Sequence, residues 1–207
     1  MKIAVFGGTG GTGIEIISQA LNKGIEVHAL MRDPDKFGAS HEKLTIIKGD
    51  VLNPEAAAEA IKGTDAVLSA LGTKALGPTA FYAKSIGNII QGMKQHEVKR
   101  ILCVGAIGME PGKDPNIPLS SVLIMKLVLK NVLADMYVML QSLAKTELEW
   151  TMMLPPRLTD GNLVGSCRTE AEGAVHKGKA ISRADLAYYM INHIEGSNHP
   201  QKIALAY

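Results

Sequence analysis

Cysteine is nearly absent. The 207-residue chain has two, Cys103 in the apolar run Ile101-Leu102-Cys103-Val104 and Cys167 in a polar stretch. That supports neither a disulfide framework nor a metal site with cysteine spacing, and the six histidines are scattered. An excess of one charge is missing too. The net charge is +2, so nothing marks the whole chain as a binder of nucleic acid or of a membrane surface. No long apolar run stands uninterrupted. Val122–Leu129 is almost wholly apolar, but Lys126, Lys130, Asp135 and Gln141 break the segment up, whereas a membrane span needs about 20 uninterrupted apolar residues. The apolar run before Gly7 is too short for a signal peptide, and a cytoplasmic location is expected.

What is there is an ordinary globular mix, 46% hydrophobic and 20% charged. The length suffices for one sizeable core and is too short for two full domains. Short β-branched runs at Lys2–Phe6, Glu26–Met31, Leu44–Lys48, Asp65–Ala70 and Arg100–Val104 read as strands. Between them lie helical patterns over 11–23, 53–61 and 79–95; Asn53 and Pro54 suit a helix start, and Gly24 and Gly63 suit helix ends. Alternating strands and helices imply a doubly wound parallel sheet, a Rossmann-type α/β fold, with right-handed crossovers. Residues 105–118, with Pro111, Pro115 and Pro118, read as a loop. A long helix over about 119–145, a strand at Glu149–Leu154, a helix from Ser182 to about Ile194 opened by a Ser182–Asp185 capping box, and a strand at Lys202–Ala206 follow. Residues 155–180 read as irregular, with a short strand near Ala174–His176. The expectation is one domain over 1–207, with 155–180 and 195–207 forming a small substrate lobe. A second apolar face on the helix at 119–145 could pair two copies of the chain.

The chemistry concentrates at Gly7-Gly8-Thr9-Gly10-Gly11-Thr12-Gly13, a G-x-x-G-x-x-G turn between the first strand and the first helix. A dinucleotide's pyrophosphate must approach the backbone closely and meet the amides and dipole of a helix N-terminus, and side chains would block that approach. Gly7, Gly10, Gly11 and Gly13 therefore read as cofactor residues, with Thr9 and Thr12 adding hydroxyl donors. An NAD-preferring site places an acidic residue about 20 residues past the glycines. Asp33 stands there, but Arg32 precedes it and Lys36 follows. A guanidinium can hold a 2′-phosphate through two parallel hydrogen bonds, so NADP(H) is expected over NAD(H).

These residues resemble the atypical, NmrA-like short-chain dehydrogenase/reductases with an NAD(P)H-binding domain, and within them the branch of NADPH-dependent flavin and biliverdin reductases. The resemblance rests on Phe6–Gly13, Met31-Arg32-Asp33, Gly49-Asp50-Val51-Leu52, Leu71-Gly72-Thr73, Asn88-Ile89-Ile90, Leu154-Pro155-Pro156 and Ile181–Leu186. It implies that Asp50 and Val51 border the adenine. It also implies that Leu71, Gly72 and Thr73 run along the ribose and nicotinamide, and that Pro155 and Pro156 face the nicotinamide. Two departures touch the substrate side. Where the branch has a serine after the fifth strand this chain reads Val104-Gly105-Ala106, and where it has a histidine after the two prolines this chain has Arg157. Arg157 could hold a phosphate or carboxylate of the acceptor.

Many short-chain dehydrogenases protonate substrate through a Tyr-x-x-x-Lys pair. None exists here: four residues after Tyr82, Tyr137, Tyr188 and Tyr189 stand Ile86, Gln141, Asn192 and His193. The chain is therefore expected to be an oxidoreductase passing a hydride to a small conjugated acceptor such as a flavin, quinone or tetrapyrrole. Two alternatives are a dinucleotide-sensing regulator without turnover and, with less support, an epimerase or dehydratase. No catalytic residue stands out.

Overall fold

Strand β1 (Lys2–Phe6) turns Ile3 and Val5 to one side and Ala4 and Phe6 to the other, and all four are buried. Such two-sided burial belongs to a parallel sheet covered by helices on both faces. The computed structural model describes residues 1–110, 114, 116–117, 119–196 and 201–207. Pro111, Pro115 and Pro118 of the expected loop, and residues 197–200 of the expected lobe, lie outside the described residues.

In chain order, β1 is followed by α1 (Gly11–Asn22), β2 (Glu26–Met31), β3 (Leu44–Lys48), α2 (Pro54–Ile61), β4 (Ala66–Ser69), α3 (Phe81–Gln95) and β5 (Arg100–Val104). Then come α4 (Leu119–Ile124), a π-helical segment at Met125–Leu129, α5 (Lys130–Ala144), β6 (Glu149–Leu154), β7 (Arg157–Thr159), β8 (Arg168–Glu170), β9 (Ala180–Ser182), α6 (Arg183–Asn192) and β10 (Gln201–Ala206). The main sheet has eight strands in the order β3-β2-β1-β4-β5-β6-β10-β8, while β7 and β9 form a separate two-stranded ribbon. Every pair in the main sheet is parallel except β10–β8. This is the Rossmann arrangement expected from the alternating pattern.

Helices α1 and α6 cover one face through Ile16, Ile17, Leu186 and Met190. Helices α2, α3 and α5 cover the other through Ile61, Ile86, Ile89, Met93 and Leu140. Met136 and Met139 pack into that second core, and Met125 packs against it. Asn53 caps α2, accepting a hydrogen bond from the Ala56 amide at 2.9 Å. Ser182 caps α6, accepting from the Asp185 amide at 2.9 Å.

Three expectations change. The helix at 119–145 is interrupted by the π-helical segment, whose Leu127 and Val128 are exposed together with Leu123 and Ile124 of α4. Ala174–His176 is not a strand; Ala174 and Val175 are buried in an irregular segment just before the turn at 176–177. Instead 155–180 contributes β7, β8 and the start of β9. Finally, 201–206 joins the main sheet between β6 and β8, so the segment apart from that sheet is the β7–β9 ribbon. No helix among the described residues is long and apolar enough to cross a membrane.

Candidate functional site

The sheet order reverses at β1. Strands β2 and β3 lie to one side of it, β4 and β5 to the other, and ligands of open α/β sheets bind at the carboxyl ends of the strands at such a switch point. A cavity of ≈ 470 Å³ opens there. Gly7, Thr9, Gly10, Gly11 and Thr12 line its middle, Arg32 and Val51 its β2–β3 side, and Leu71, Gly72 and Thr73 its β4 side. The structure thus brings together ten of the expected residues from four separate stretches of chain.

The turn is built on two close approaches. Gly7 has φ +85°, and a Cβ there would lie 2.4 Å from the Ala70 carbonyl oxygen. Gly13 does not line the cavity. Its Cβ would lie 2.1 Å from the Gly7 carbonyl oxygen, so its role is to let α1 pack onto the turn. The Gly10 amide donates to that same Gly7 oxygen at 2.9 Å. Helix α1 then starts with no side-chain cap and no acidic residue in its first turn. The first amides of a helix have no intrahelical acceptor, and with the helix dipole they favour an anion.

Arg32 sits at the end of β2 with its side chain 71% exposed and its Nη1 4.0 Å from Asp50 Oδ2. Asp50 itself does not line the cavity; its Oδ1 accepts from the Leu52 amide at 2.9 Å. Lys36 does not line it either. It pairs with Asp33 at 2.9 Å, because the 3-10 turn at Pro34–Lys36 brings the two side chains together.

The far end is apolar. Val104 from the end of β5, Phe81 from the start of α3 and Leu158 from β7 line it. Pro155, Pro156 and Arg157 do not. Alternation along β7 explains the shift: Leu158 lines the cavity, and its neighbour Arg157 is exposed. Pro155 is buried, and its carbonyl accepts from the Ile107 amide at 3.2 Å. Phe6, Met31, Ala70 and Val104, each at or just past a strand end, also line the site and could have been found from that position alone. Arg183 and Lys74 complete the wall; Arg183 stands in the Ile181–Leu186 stretch that carries the resemblance, but neither residue was expected at the site.

The charges on this wall are all positive. Arg32, Lys74 and Arg183 line it, and its described residues include no carboxylate, imidazole, thiol or phenol. Tyr82 lies close by but is buried, with its hydroxyl bonded to the Thr73 backbone. Burial pushes its pKa up, the Thr73 bond opposes this, and Asp135 adds to it. Tyr189 is stacked on His193 in α6. Among the described residues no three histidine, cysteine or carboxylate side chains form a metal-binding group.

A family model described as NAD(P)H-binding matches residues 7–196. The chain belongs to that NAD(P)H-binding family. Uncharacterized protein YwnB of Bacillus subtilis (strain 168) is 28% identical, over 97% of this chain and 94% of YwnB. A solved structure from Bacteroides thetaiotaomicron, provisionally named an epimerase, is 28% identical with a TM-score of 0.78, over 100% of this chain and 96% of that one. Another, from Streptococcus pneumoniae TIGR4 and provisionally named an NADH-flavin reductase, is 25% identical with a TM-score of 0.77, over 100% and 99%.

The residues present fit the family's nicotinamide dinucleotide. The cradle at Gly7–Thr12 is one that side chains would fill, and it ends in uncapped helix amides. The wall runs along the sheet edge from the cationic Arg32 to the apolar Val104 and Leu158. In an NAD(P)H-binding protein the first end suits the adenosine half and the second suits the nicotinamide.

Proposed function

We propose that the protein is an NADPH-dependent reductase whose acceptor is a conjugated small molecule of the flavin, quinone or tetrapyrrole kind. The observation that carries this reading is the cavity wall: three cations, an apolar far end and no acidic proton donor. The nicotinamide supplies a hydride when bound. The chain's part is to hold the two ligands in line, exclude water with Val104, Phe81 and Leu158, and balance negative charge with Lys74 and Arg183. An acceptor that delocalises the incoming charge can take its proton from water, so no tyrosine is needed. The solved neighbour named for NADH-flavin reductase supports this class of acceptor. The epimerase name of the other neighbour asks for chemistry that a Tyr–Lys pair ordinarily performs, and this chain has none.

Preference for NADPH follows from Arg32 on the wall, with the competing acid Asp33 engaged by Lys36. The wall without a proton donor also favours a second reading, a dinucleotide sensor without turnover. The test is NADPH oxidation, followed by nicotinamide absorbance, with FMN, a benzoquinone and a linear tetrapyrrole in turn. Turnover with at least one is expected. Binding of NADPH with no oxidation by any of them would favour the sensor.

A further inference from the structure

Arg183 comes from late in the chain, at the first residue of α6, and yet stands on the wall beside the glycine turn. Its backbone is fixed there. Ser182 Oγ accepts from the Asp185 amide at 2.9 Å and donates to the buried Asp185 carboxylate at 2.7 Å. From that point the side chain reaches over the first residue of α1. A Cβ on Gly11 would lie 2.6 Å from Arg183 Cδ and 3.0 Å from its Nε. Gly11 thus leaves room for a guanidinium on the first turn of the helix.

Asp160 holds one edge of that guanidinium, with Nη1 2.5 Å from its Oδ1. The Asp160 side chain is 88% exposed, so the pair adds little to stability. What it does is orient the fork. Among the described residues, neither Nε nor Nη2 has a protein acceptor. The uncapped amides of α1 and a cation with free donors therefore meet on the cavity wall.

We infer that Arg183 binds the pyrophosphate of the dinucleotide together with the first turn of α1, with Asp160 as its positioning partner. A planar fork suits phosphate oxygens. This inference rests on the dinucleotide reading and adds a contact to the part that NADPH and NADH share. Arg32, in contrast, is placed to read only what differs between them.

The experiment is a calorimetric titration of wild type, Arg183→Gln and Arg32→Ala with NADPH, NADH and ADP-ribose. Arg183→Gln is expected to raise all three dissociation constants about tenfold or more, while Arg32→Ala raises that for NADPH alone. Arg183→Gln values within twofold of wild type for all three ligands would overturn the inference and leave the dinucleotide reading intact. Wild type binding neither dinucleotide would overturn that reading and the inference with it. Phenylglyoxal labelling of the wild type, read by peptide mass, removes dependence on the variant's folding. ADP-ribose should shield Arg183 and adenosine should not; equal labelling of Arg183 with and without ADP-ribose would contradict the contact.

Discussion

A Cβ on Gly10 would meet one neighbour, the Gly7 carbonyl oxygen at 3.3 Å, and the φ of −83° there suits any residue. On Gly7 or Gly13 it would sit 2.4 or 2.1 Å from backbone oxygen. The three glycines therefore answer differently to substitution. Gly10→Val should keep the native circular dichroism and melting point and lose NADPH binding, whereas a valine at Gly13 should cost the fold itself. Arg32→Ala should weaken NADPH and spare NADH. Charge-assisted hydrogen bonds contribute about 1.5–3 kcal/mol, and the exposure of Arg32 favours the lower end, about a tenfold change. Equal losses for the two cofactors would show that Arg32 does not read the 2′-phosphate. The glycines and Arg32 were legible because their roles are set by neighbours in sequence, a strand before and a helix after. Lys36 misled because a one-turn geometry pairs it with Asp33. Arg183 was illegible because α1 and α6 meet only when both pack on one face of the sheet.

At the scale of elements, two buried carboxylates tie separate segments together. Helix α3 has Ala80 at its N-cap, which offers no side-chain cap. Asp135 from α5 takes that role, accepting from the amides of Tyr82 at 2.9 Å and Ala83 at 3.0 Å. Asp135→Asn keeps the shape and loses the charge on those donors. It should destabilise the protein by about 1–3 kcal/mol in urea unfolding, and an unchanged midpoint would contradict the capping role. Asp185 ties three segments together. It accepts from Ser182 Oγ, from the Val164 and Gly165 amides and from the Tyr207 hydroxyl. Burial opposes its ionisation, but the hydrogen bonds from Tyr207, Ser182, Gly165 and Val164 outweigh this and hold its pKa below the ordinary value. A carboxyl with a lower pKa folded than unfolded stabilises the fold above the unfolded value, about 3.9, and loses that contribution as pH falls through the folded one. Stability should therefore drop as pH falls from about 4, and Asp185→Asn should flatten that acid limb while lowering stability at neutral pH. An identical acid limb in the variant would contradict the assignment. The Ser182–Asp185 box was visible in sequence, but its ties to Val164, Gly165 and Tyr207 were not. The strands around it escaped for a related reason. Each of β7, β8 and β9 has three residues, too few to show alternation, and β8 is exposed throughout.

Across the whole molecule, the strand order places Gly7, Arg32, Leu71 and Val104 along one edge of the sheet, and a dinucleotide lying there would bridge several elements at once. A ligand that binds only the folded state at about 100 times its dissociation constant stabilises it by about 2.7 kcal/mol. In a domain of this size that corresponds to a rise in melting temperature of roughly 5–10 °C. The first half of the architecture was readable because each strand and its crossover helix are neighbours in sequence. The placement of β10 between β6 and β8 was not, since its partners are chosen by tertiary packing. The claim on which everything else depends is that the Gly7–Thr12 cradle holds NADP(H). Calorimetric titration of NADPH and NADH into wild type and Gly10→Val tests it most directly. The account predicts saturable binding of both to wild type, tighter for NADPH, and none to the folded variant. Equal binding of NADPH by wild type and a folded Gly10→Val would contradict it.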